Sequence, residues 1–172
     1  ETEEEAKLKA ARTDDLIRMR PKAFSALGSF KQKTNFMKDN IKQAIDNISG
    51  WSTAYGAMLQ GWPRTQAQAL GTLLTTIKAN VGFQALQEMR ANSPTGGALG
   101  QVSERELAYL QATLGDIGQT QDGAILAQKL KALQAQIEGM HGRLQQAYDM
   151  TFRPLTEAEG GDGNQYTTRA PV

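Results

Sequence analysis

Residues able to make or break bonds are few in this sequence, and they stand far apart. The chain has 172 residues, no cysteine and one histidine, His141. Disulfides, thiolate metal sites, thiol nucleophiles and histidine-rich metal sites are excluded together, and a serine–histidine–acid nucleophile would have to be built on His141. That histidine lies between Met140 and Gly142 on a helical stretch, where the ordinary reading is a partly exposed helix residue. Glu88, upstream of the string SPTGGALGQ (Ser93–Gln101), is the one carboxylate that could be cast as a general acid. Gly96, Gly97 and Gly100 could approach a phosphate closely. A nucleotide-binding loop, however, needs a lysine and a hydroxyl after its last glycine, and Gln101 and Val102 stand there. No cofactor, no metal and no catalytic residue is expected.

Charge offers a second kind of chemistry. From Arg18 to Lys42 there are seven basic residues (Arg18, Arg20, Lys22, Lys31, Lys33, Lys38, Lys42) against Asp39, a local balance of +6 in a chain whose total is +1. Lys31, Lys38 and Lys42 fall on one helical face, so they are the candidates for contact with an anionic partner such as DNA or an anionic membrane surface. Two other readings stay open, a solvated face opposite a phenylalanine stripe and an acidic protein partner. Trp51, Tyr55 and Trp62 cluster around the first interruption of the helical pattern, as hairpin packing or as an exposed anchor.

The elements that must position these residues are helical throughout. Alanine and glutamine are abundant (23 and 17 residues) while Val and Ile are sparse, and no two-residue alternation competes. A charged helix is expected over about 2–20, with Glu3, Glu4 and Glu5 at its start complementing the helix dipole and Pro21 interrupting it. Phe24, Leu27, Phe30, Met37, Ile41, Ile45 and Ile48 mark one face of a helix over 22–55, and Phe36 widens it. After Gly56, Gly61 and Pro63, a helix over 64–91 is read from Leu70, Leu74, Ile77 and Val81, with Gly71 and Gly82 inside it for close approach or a bend. Ser103 and Glu106 have the spacing of a capping box opening a helix over 103–117. Asp122 can cap the last helix, 122–152, ended by Pro154. Leu126, Leu130, Leu133, Ile137, Met140 and Leu144 form its heptad-like seam. With glutamines around it (Gln128, Gln134, Gln136, Gln145, Gln146), this seam is the candidate surface for a homo-oligomer. The expected fold is all-α, an elongated bundle of long helices in antiparallel hairpins over 1–155. An extended or disordered arm over 156–172 comes last, poor in apolar residues. No apolar run approaches the roughly 20 residues that span a bilayer, so no transmembrane segment is expected. Beginning on Glu1, the chain reads as processed or as part of something longer.

Two resemblances bear on function. The Ser93–Gln101 string is similar to the stretch that follows the catalytic glutamate of lytic transglycosylases. Here Glu88 is followed by Met89 rather than serine, lies closer to the loop than that family places it, and no Gly-Leu-Met-Gln follows. Residues 73–117 resemble a segment of tailed-bacteriophage internal virion and DNA-ejection proteins. The likeness rests on Lys78-Ala79-Asn80, Gly82-Phe83, Leu86-Gln87-Glu88-Met89-Arg90, Ser93 to Gln101, Val102-Ser103-Glu104 and Leu110-Gln111-Ala112-Thr113-Leu114. It covers about a quarter of the chain and is most specific at the loop and the Ser103–Glu106 pair. The resemblance implies a non-enzymatic structural component of the virion that assembles with copies of itself and with other virion proteins and aids genome delivery. DNA contact and, after ejection, contact with the host envelope come with that setting. A helical adaptor or scaffold unrelated to virions is the alternative; a peptidoglycan-cleaving segment is a more distant one.

Overall fold

Apolar residues recurring every three or four positions make helices here. A computed structural model describes residues 2–52, 64–79, 82–119 and 122–160. They form α1 (Glu3–Ser52), α2 (Arg64–Ala79), α3 (Phe83–Ala91), α4 (Ala98–Gln119) and α5 (Gly123–Gly160), with no strand among the described residues. The all-α class is as expected. Tyr55 and Trp62, the Trp51 side chain and residues 161–172 lie outside what is described.

One hydrophobic core draws on all five helices, from Leu16, Leu27, Phe30, Met37 and Ile41 of α1 to Phe152 and Leu155 of α5. The last helix, rather than the next in sequence, is the neighbour that α1 meets along most of its length. Phe24 meets Tyr148, Lys38 meets Glu138, and Ile48 lies beside Gly123, so the two helices run in opposite directions. Leu99 with Thr151, Glu106 with Arg143 and Asp116 with Lys129 fix the same antiparallel sense for α4 and α5. At about 1.5 Å per residue, the 50 residues of α1 outrun the 38 of α5. Residues 2–15 accordingly carry no buried side chain. They form an exposed helical end, closed by a capping box in which the Thr2 amide donates to Glu5 Oε2 and the Glu5 amide to Thr2 Oγ1.

Several boundaries differ from those the sequence suggests. Pro21 does not divide α1, and Pro154 does not end α5. A helical proline forfeits one backbone bond and crowds the carbonyl four residues back. Those carbonyls belong to Ile17 and Met150, residues on the exposed sides of their helices. Buried Leu16, Ala23 and Leu27 on one side, and Phe152 and Leu155 on the other, hold the helices through the break.

The helix expected over 64–91 is instead two. Between α2 and α3, Gly82 takes a left-handed φ of 77°, and a Cβ there would stand 2.8 Å from the Phe30 ring, so the position serves both bend and close approach. Phe24 and Phe36, expected on the core stripe, are 65% and 53% exposed, while Ala23 and Ala26 face inward.

Candidate functional site

The segment 73–117 comes together around the start of α4. Its loop is a tight turn, with the Gly97 amide donating to the Pro94 carbonyl at 2.8 Å and Gly96 at a left-handed φ of 76°. Two of the first amides of α4, a group that lacks intrahelical partners, are already taken. Gly100 donates to Ser93 Oγ at 3.0 Å and Leu99 donates to Thr151 Oγ1 at 2.9 Å, while the Thr151 hydroxyl itself donates to the Ala147 carbonyl. The loop glycines make room for this arrangement. A Cβ on Gly97 would stand 2.6 Å from Ser93 Oγ, and one on Gly100 would stand 3.2 Å from it. Their work is to admit the Ser93 cap.

The capping box expected of Ser103 and Glu106 is corrected. Because α4 begins at Ala98, both residues lie inside the helix and both are buried. Glu106, 3% exposed, accepts from Arg143 Nε at 2.6 Å and from Nη2 at 3.2 Å, a forked ion pair between α4 and α5. Those hydrogen bonds raise the Arg143 pKa, against the opposing effect of its own burial. A Cβ on Gly139 would sit 2.6 Å from Arg143 Nη1, so the glycine clears the path of the guanidinium. One turn before Glu106, Ser103 Oγ is buried without a hydrogen-bond partner. Farther along, Lys129 Nζ lies 2.8 Å from Asp116 Oδ2. Among the described residues, polar ties join α4 to α5 at Leu99, Glu106 and Asp116.

The remaining sequence candidates are dispersed. Glu88 is exposed on α3, opposite buried Ala85, Leu86 and Met89, and accepts from Gln84 Nε2 at 3.0 Å. His141 lies where α5 borders α1. Its pKa is lowered by burial first, then by the charges of Lys31 and Lys38. Lys31 and Lys42 are exposed, whereas Lys38 is partly covered and stands 3.9 Å from Glu138. The structure thus brings Lys31 and Lys38 together with His141, a neighbour the charge count did not identify, and partly neutralises Lys38. Among the described residues no group of three acidic or histidine side chains could hold a metal ion, and no helix is long and apolar enough to cross a membrane.

The oligomer seam is also corrected. Leu126, Leu130, Leu133, Ile137, Met140 and Leu144 are all at most 4% exposed within the chain's own core. Their periodicity does mark an interface, but the helices that cover it belong to the same chain. Sequence reading missed Arg143 and Thr151, whose partners lie 37 and 52 residues away; the only local signal is Gly139, one turn before the arginine. Searches against protein families, curated proteins and solved structures found no match to this chain.

Proposed function

We propose that the protein is a non-enzymatic structural component of a tailed-phage virion, of the internal or ejection type, which assembles with copies of itself and aids genome delivery. The observation that supports this reading is how the phage-like segment spends its polar groups. Ser93, Glu106 and Asp116 are tied to backbone or to α5, which is the work of holding helices rather than of turning over a substrate. With the α5 seam occupied internally, exposed apolar side chains of α1 such as Ile17, Phe24 and Phe36, each more than half exposed, are offered for self-assembly. Lys31 and Lys42, both exposed, are the side chains offered to DNA or another polyanion, with Lys38 beside them.

Mass spectrometry of purified particles, together with sedimentation over a wide concentration range, tests the proposal. Incorporation into particles with concentration-dependent association reduced by Phe24→Ser and Phe36→Ser is the expected result. A strict monomer absent from particles would overturn it in favour of a helical adaptor. Clearing on a peptidoglycan gel abolished by Glu88→Gln would overturn it in favour of an enzyme.

A further inference from the structure

The two helical prolines lie at nearly the same level of the molecule. Phe24 and Tyr148 meet with ring centroids 6.1 Å apart. Pro21 lies three residues before Phe24 and Pro154 six residues after Tyr148. In antiparallel helices both steps run the same way, which leaves the rings about 4.5 Å apart along the axis at 1.5 Å per residue. Each proline is exposed and removes the amide that would bond the carbonyl four residues earlier, at Ile17 and at Met150. The backbone ladder is therefore interrupted in both partners at one cross-section, and such interruptions are where helices bend.

Contacts are unequal on the two sides of that cross-section. On one side lie the aromatic run Phe24–Tyr148–Phe152, with centroids 6.1 Å and 4.9 Å apart, and the main core. On the other, among the described side chains, α1 buries Leu16 and half-buries Met19, and α5 buries Leu155, all in or against the one core.

We propose that the paired proline level is a hinge, about which the first turns of α1 and the last turns of α5 swing together as one tip against the rest of the bundle. This stands on the geometry and is independent of the virion reading. A cysteine-free chain allows clean spin labelling for electron–electron distance measurement. One pair goes within α1 (Thr13→Cys with Asn35→Cys) and one within α5 (Ala132→Cys with Glu157→Cys), all at exposed positions. Straight helices would give about 33 Å and about 38 Å between backbone positions. The full chain should give broad distributions with shorter means. Pro21→Ala alone should narrow both distributions and shift both means toward the straight-helix values, and Pro154→Ala alone should do the same. Because alanine favours helix over proline, neither variant is at risk of failing to fold. Narrowing only in the helix that carries the substitution would overturn the shared motion. Unchanged widths in the double variant would overturn the hinge itself.

Discussion

At Glu106 a carboxylate is almost wholly removed from water, and one guanidinium compensates for it. Arg143→Ala leaves that charge buried and unpartnered, a loss on the order of 3 kcal/mol. Because Arg143 is itself 37% exposed, replacing both residues with leucine should recover most of the loss. Urea unfolding of Glu106→Leu, Arg143→Leu and the double variant measures the coupling; a neutral Arg143→Ala would show that the fork contributes nothing.

His141 carries a pH dependence of known sign. Its folded pKa lies below its ordinary value of 6.5, so the unfolded chain binds more protons as pH falls through that window. The contribution is fully present above 6.5 and is lost as pH falls through the folded value. Lys31 and Lys38 facing it from α1 deepen the effect. His141→Gln should flatten that part of the curve of unfolding midpoint against pH between 5 and 8, and an unchanged slope would count against the assignment.

The ends of the helices are set by residues of very different sequence range. Asp122 is readable as a cap, and its Oδ1 accepts from the Ile125 amide at 2.9 Å, because donor and acceptor are three residues apart. The start of α4 is not readable. Ser93 caps it across a glycine turn, Thr151 from another helix, and the Ser103–Glu106 spacing is a chance match within a helix already under way. Ser93→Ala and Thr151→Val should each cost about 1 kcal/mol, the usual range for a lost cap, with faster amide exchange at Gly100 and Leu99 respectively. An equal effect on both amides from either variant would mean that the two caps are not separate. The prolines mislead for a related reason. Their cost depends on whether water reaches a carbonyl, which is a property of the folded surface. By contrast, the α5 stripe from Leu126 to Leu144 can be read directly, since regular burial leaves regular spacing. That spacing carries no record of whether the covering helix comes from the same chain, which is why it points equally to an oligomer and to an internal core.

At the scale of the whole molecule, the core runs through α1, α3, α4 and α5, and the exposed end of α1 lies outside it. Removing residues 2–12 should leave the thermal midpoint unchanged while reducing helical ellipticity, as checked by circular dichroism; a lowered midpoint would reveal a supporting role that its exposed side chains give no sign of. The Thr151 tie has a mechanical corollary. Traction on the end of α5 would draw the threonine hydroxyl away from Leu99 before the load reached the forked pair at Glu106. Unzipping from that terminus would thus uncap α4 first and meet its firmest resistance partway along, and a chain threaded by its tail would come apart in that order.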